Sequence, residues 1–260
     1  MNILDKIVAD KHQEVALRKQ LIPVKQLQQS VLFEKETISL STNLRNSSKA
    51  GIIAEHKRRS PSKAVINQNS NVWDVAKGYE NAGAAGMSVL TDGKYFGGSL
   101  DDLLTARASV NLPLLRKDFI IDSYQLLEAK AYGADVCLLI AACLSRKEIK
   151  ELSEFAKSLN LEVLLEVHNK QELEKALMPS IDLLGVNNRN LKTFEVSLET
   201  SKALSNLIPD DFVKVSESGI SSTDAIKELQ NYDYKGFLIG ENFMKSTDPV
   251  QSIQDFMTDL

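Results

Sequence analysis

Cysteine is nearly missing from this chain: Cys137 and Cys143 are the only two in 260 residues. Two thiols make no disulfide framework, and no zinc-type spacing surrounds them. Cys137 lies in the apolar stretch 135–142, so both are expected to be reduced, buried and without a catalytic role. Histidine is equally scarce, with three in all. His12 falls in the N-terminal segment, His56 is predicted to face outward from a strand, and His168 stands alone. No metal site is expected from them. Long apolar runs are missing too, since none approaches the ~20 residues a membrane span needs. Residues 1–10 carry acids and no long apolar core, unlike a signal peptide. The protein is expected to be soluble and cytoplasmic, with no membrane partner. A positive excess is absent: the formal net charge is -4 and the pI about 5.6, which argues against a general nucleic-acid binder. Neither G-x-G-x-x-G nor a P-loop occurs, so the fingerprint of an open dinucleotide-binding sheet is lacking.

What is present is ordinary globular composition, 43% hydrophobic and 25% charged, in a length that suits one large domain or two small ones. From about residue 50, short apolar runs alternate with amphipathic stretches. The runs are 51–57, 86–90, 112–117, 135–141, 161–167, 183–187, 213–217 and 236–240. Helical patterns fill 72–82, 99–110, 123–132, 146–158, 170–177, 198–207, 222–230 and 249–256, with start signals such as Ser222. Eight β/α repeats in this length predict an α/β fold, a closed (β/α)8 TIM barrel. Residues 1–49 precede the first strand. A stripe of Ile3, Ile7 and Leu17 predicts a helix ended by Pro23, and 24–32 a second short one. The expected organisation is an N-terminal helical extension (1–49) packed on a catalytic barrel (50–260).

Active sites of such barrels lie at the C-terminal ends of the strands. The first run passes without a break from Ile52-Ile53-Ala54 into Glu55-His56-Lys57 and then a basic loop to Lys63. Strand alternation puts Glu55 and Lys57 on one face. An edge strand entering a solvated basic loop is the plainer reading of this segment alone. The other strands favour a pocket. The third run ends in Lys117, the fifth in Glu166, the sixth in Asn187 and Arg189, and the seventh in Glu217 and Ser218. Lysines among carboxylates suit general acid–base work, and the apolar strand body behind Glu166 is expected to raise its pKa. The loops after the last two strands, with Ser218-Gly219 and Gly240-Glu241, suit an anion cradle in which glycine lets the backbone approach closely. The side chain of Glu241 is expected to face solvent. The basic loop is expected to serve a small anion. Phe96 and Phe119, at strand ends, offer contacts for an aromatic ligand.

These segments resemble the indole-3-glycerol-phosphate synthase family. The likeness is carried by Glu-x-Lys-x-x-Ser-Pro-Ser from Glu55, Ser-Val-Leu-Thr-Asp from Ser88 and Leu-Arg-Lys-Asp-Phe from Leu115. It continues with Leu-Leu-Glu-Val-His from Leu164, Gly-Val-Asn-Asn-Arg-Asn-Leu from Gly185, Val-Ser-Glu-Ser-Gly-Ile from Val215 and Ile-Gly-Glu from Ile239. The motifs cover the barrel in order. Ala64 departs from the family's frequent glycine, which is expected to stiffen the first loop. The resemblance implies conversion of 1-(2-carboxyphenylamino)-1-deoxyribulose 5-phosphate to indole-3-glycerol phosphate, carbon dioxide and water, without cofactor or metal. It implies Lys117 as general acid, Glu166 and Lys57 as proton-transfer groups in an undecided order, and Glu55 and Glu217 as groups that tune the lysines. Asn187 would hold substrate hydroxyls and Arg189 orient the site. Ser60, Ser218, Gly219, Gly240 and Glu241, the last through backbone, would line the phosphate site. A single barrel suggests one activity and a monomer or weak homo-oligomer. Another phosphate-sugar barrel enzyme and a non-catalytic binding barrel are the competing readings. An Amadori-type isomerase would need a Cys/Asp-type pair, and no cysteine ends a suitable run. A binding barrel would have lost one of the proton-transfer groups.

Overall fold

The computed structural model describes every residue except 1, 2, 48, 49 and 192. Eight parallel strands close on themselves in sequence order: β1 (Gly51–His56), β2 (Gly86–Leu90), β3 (Leu114–Lys117), β4 (Val136–Ile140), β5 (Glu162–Val167), β6 (Leu183–Asn187), β7 (Val213–Glu217) and β8 (Gly236–Ile239). Closure is made by β1 on β8, with Ile53 opposite Leu238. Before β1 come α1 (Ile3–Leu21), α2 (Val24–Gln28) and α3 (Leu40–Asn46). Helices α4 (Val72–Asn81), α5 (Gly93–Phe96), α6 (Leu100–Ser109), α7 (Ser123–Ala131), α8 (Arg146–Ser158), α9 (Lys170–Ala176) and α10 (Glu199–Ser205) fill the crossovers as far as β7. Then come α11 (Thr223–Gln230), α12 (Glu241–Met244) and α13 (Pro249–Thr258). Helix starts are fixed locally. Ser145 and Glu148 form a capping box on α8, and Ser222 accepts from the Ala225 N–H on α11.

Strand alternation divides the apolar residues into two layers. Ile52, Ala54, Met87, Val89, Cys137 and Leu139 pack outward under the helices, while Ile53, Leu115, Leu138, Ile140, Leu164 and Leu238 fill the barrel. Leu40 and Leu44 of α3 join the inner set, so this helix is part of the barrel's own core. Glu162 at the start of β5 accepts from the Leu40 and Ser41 N–H groups at 2.8 and 3.0 Å, a carboxylate at a helix N-terminus.

The extension corrects one expectation. Leu17 is 56% exposed and lies off the buried stripe of α1, which is Leu4, Ile7, Lys11 and Val15. The reason is helical phase: Lys11 and Val15 continue the i, i+4 row from Ile7, whereas Leu17 points away. Lys11 is only 1% exposed because its ammonium meets Asp92 at 2.9 Å, Asp118 at 3.0 Å and Glu14 at 2.8 Å. Burial opposes its charge, but these carboxylates outweigh burial and hold its pKa above the usual lysine value. Asp92 and Asp118 follow β2 and β3, so this ion cluster ties α1 to the C-terminal end of the barrel.

Candidate active site

At that end a cavity of about 390 Å³ opens, and every one of the fourteen residues proposed from the sequence borders it. Parallel strands of matched register bring their last inward side chains to one height. Lys117 lies between two carboxylates, 3.2 Å from Glu166 Oε2 and paired directly with Glu217 Oε2. Lys57, just past β1, pairs with Glu55 Oε1 at 2.6 Å. The floor below is apolar, formed by Leu138, Ile140 and Leu238.

The two carboxylates on Lys117 differ. Burial pushes Glu217 up, Lys117 opposes this, and Glu166 adds to it; its pKa is about 7. Burial acts upward on Glu166 as well, but Lys117 and then His168 overcome it and hold the group below its ordinary value. The expected upward shift therefore falls on Glu217 and not on Glu166, because His168 lies directly against Glu166, whereas Glu166 and Glu55 both push Glu217 upward. Burial also works against the charge of Lys117, yet Glu217, Glu166 and Glu55 leave its pKa raised and the ammonium intact.

His168 is not alone. Its Nε2 is 3.3 Å from Glu166 Oε1 and its Nδ1 is 3.0 Å from Glu172 Oε2. His56 does face the helix layer, 3.1 Å from Ser70 Oγ, with a pKa lowered to about 4 by burial and then by Arg58. The basic loop is only partly available to an anion. Arg58 makes a fork to both Asp102 oxygens, and Arg59 donates to the carbonyls of Gly93 and Lys94. These arginines hold the loop to the segment after β2.

Glu241 meets its expectation only in part. Its carboxylate is partly covered and lies 3.2 Å from Lys63 Nζ and 3.9 Å from Arg189 Nη2. Burial alone would raise its pKa; Lys63 outweighs that and lowers it. Its side chain remains 40% exposed while leaning on these two cations. The two glycines act for different reasons. Gly219 has φ 78°, a left-handed conformation that disfavours any Cβ. Gly240 has φ -120°, so its need is room: a Cβ would collide with Glu55 Oε1.

Arg189 is held by a bridge to Val196 and donates its N–H to Asn187 Oδ1 at 3.0 Å. Phe96 and Phe119 form a tilted pair with centroids 5.9 Å apart on one wall. Ile3, Leu4 and Ile7 of α1 also line the cavity, which the sequence reading missed. The available signal was Lys11, a charge on an otherwise apolar helical stripe. Among the described residues, no cluster of three or more His, Cys, Asp or Glu is placed to hold a metal, and no helix is long and apolar enough to cross a membrane.

A closed (β/α)8 barrel with paired lysines and glutamates at its C-terminal mouth is the framework of a TIM-barrel enzyme. The family model for indole-3-glycerol phosphate synthase matches residues 4–256, and the chain belongs to that family. An indole-3-glycerol phosphate synthase of Bacteroides thetaiotaomicron is 48% identical over 256 residues, covering 98% of each chain. One from Aliarcobacter butzleri is 44% identical over 259 residues, covering 98% of this chain and 97% of its own. Among solved structures, KGPDC from Streptococcus mutans superposes with a TM-score of 0.62 at 13% identity, over 81% of this chain and 97% of that one. That likeness is one of fold alone.

Proposed function

We propose that this chain closes the indole ring of 1-(2-carboxyphenylamino)-1-deoxyribulose 5-phosphate, releasing carbon dioxide and water to give indole-3-glycerol phosphate. The observation that carries this reading is Lys117, a charged ammonium held between Glu166 and Glu217 above an apolar floor. In the proposed chemistry, Lys117 gives its proton to the substrate ketone oxygen as the ring carbon bearing the carboxylate attacks the carbonyl carbon. The carbon–carboxylate bond then breaks, its electrons restore the aromatic ring, and carbon dioxide leaves. A surface of Leu138, Ile140 and Phe119 favours this loss, because a charged carboxylate becomes neutral gas there.

Dehydration needs an acid at the new hydroxyl and a base at the neighbouring ring methylene. Lys57, fixed by Glu55, suits the acid, and Glu166, kept ionised, suits the base. The hydroxyl leaves as water, the methylene proton goes to Glu166, and solvent restores the one proton consumed overall. Glu217 tunes Lys117, and Asn187 is assigned to substrate hydroxyls. The aromatic ring fits between the Phe96–Phe119 wall and the α1 side chains.

The phosphate is assigned to the rim formed by Ser60, Ser218, Gly219, Gly240 and the Glu241 N–H, near Lys63 and Arg189. There the Glu241 carboxylate competes with phosphate for both cations. Glu241→Gln is therefore expected to lower KM about 2- to 5-fold, the worth of a partly exposed ion pair, with kcat little changed. A raised KM in steady-state assays would move the phosphate elsewhere. The reaction itself is tested by mixing purified protein with the substrate and following indole fluorescence. A rise is expected, and its absence at high enzyme concentration would overturn the reading.

A further inference from the structure

His168 has no role in the chemistry above, yet it is nine-tenths buried behind Glu166, and both of its ring nitrogens face carboxylates. Glu172, its outer partner, is itself fixed. Its Oε2 accepts from the His168 N–H at 2.9 Å and its Oε1 from Asn169 Nδ2 at 2.7 Å. Nε2 is buried without an aligned hydrogen-bond acceptor and lies 3.3 Å from Glu166 Oε1. A neutral imidazole has one N–H, whereas two carboxylates on opposite nitrogens are both satisfied only by the doubly protonated ring. The ring also lines a second cavity of about 920 Å³ between α1 and the loops after β4, β5 and β6. The two cavities share Leu4, Asn187, Arg189 and Leu191, so this ring stands between the reacting pocket and a separate opening.

We propose that His168 is a positioning residue for Glu166: a cationic bridge, anchored by Glu172, that holds the inward carboxylate charged and in place. The proposal rests on the ring-closure reading, in which Glu166 is the base of dehydration. It also accounts for the asymmetry at Lys117. Glu217 touches the same ammonium, pairs directly with no other cation among the described residues and keeps one buried oxygen unpartnered.

The surroundings support the cationic form. Burial disfavours it, but Glu172 and Glu166 outweigh burial, with Glu217 contributing from β7, and raise the pKa of the ring. On the cavity side lie Cys143, whose thiol burial pushes up to about 12, with His12 and Asp5 of α1. Arg189 is the cation facing the same cavity from the loop after β6. Lys117 lies beyond Glu166.

The test uses His168→Gln, which keeps a donor near Glu166 and removes the charge, and Glu172→Gln, which loosens the anchor. An opposing charge at this range moves a carboxylate by roughly 1–3 pH units. Without it, the Glu166 pKa rises, the base is protonated at higher pH, and the acid limb of the kcat profile moves up by about one unit or more. On the acid limb itself a one-unit move costs about 10-fold in kcat at a given pH, and the loss should shrink steadily toward pH 8 with KM unchanged. Glu172→Gln should move the limb the same way by less. Burial raises the Glu217 pKa to about 7 and this group also feels His168, so the same profiles in a Glu217→Gln background, where it cannot titrate, assign the moved limb to Glu166. A loss independent of pH, or an unmoved limb, would reduce His168 to packing and overturn the proposal.

Nitrogen-15 spectra of the wild-type imidazole provide a readout without turnover. Both nitrogens should be protonated at pH 7, and a neutral ring there would also overturn it. A wild type with a cationic ring but no indole formation would instead refute the ring-closure reading and leave the bridge standing.

Discussion

Lys117→Ala is expected to lower kcat by about 10²–10⁴-fold, the usual loss for a positioned general acid. The ammonium is the only cation in direct contact with both Glu166 and Glu217 among the described residues, and no other side chain there offers its proton from the same point. Alanine would leave two buried carboxylates facing one another. Glu217, already at about 7, would take up a proton and relieve the repulsion, so the barrel should remain folded. Circular dichroism and thermal unfolding check the fold, and single-turnover assays check the chemistry. Near-normal turnover would remove Lys117 from the mechanism.

Glu166→Gln is the second large effect. Glutamine keeps the shape and most of the hydrogen bonding, and it cannot accept the methylene proton. A fall in kcat on the order of 10²–10⁴-fold with little change in KM is expected. The contacts of Glu166 in this structure are to Lys117, His168 and the Asn187 side chain, which supports a chemical role over a binding one. If KM alone rose, Glu166 would be a substrate-positioning group, and Lys57 with Glu55 would become the leading candidates for the remaining transfers.

Much of the barrel could be read because its physics is local. The strands at 86–90, 183–187 and 213–217 are bounded in the structure as their apolar runs suggested, and the others agree to within two residues. Strand alternation carries the inward ends of five strands to one mouth, so Glu55, Lys57, Lys117, Glu166, Asn187 and Glu217 could be grouped from a two-residue period. What escaped depends on which residues meet across the fold. The two-residue period that pairs Glu55 with Lys57 also puts His168 on the face of Glu166, but it does not show the ring fixed between Glu166 and Glu172, and that contact bears on which carboxylate stays ionised. The crowding of Glu55 against Gly240 is also a contact across the closure of the barrel, between the first strand and the residue after the last. The covering of the mouth by Ile3, Leu4 and Ile7 depends on how α1 docks, which its own periodicity does not encode.

In the proposed chemistry the work at the mouth is divided: Lys117 starts ring closure, and Lys57 with Glu166 completes dehydration. Single-turnover mixing of the Glu166→Gln variant with substrate, following carbon dioxide release and indole fluorescence side by side, tests that division most directly. Carbon dioxide is predicted to appear first, with a hydroxyindoline carrying the sugar-phosphate chain accumulating before indole. Carbon dioxide and indole slowed equally and appearing together would contradict it.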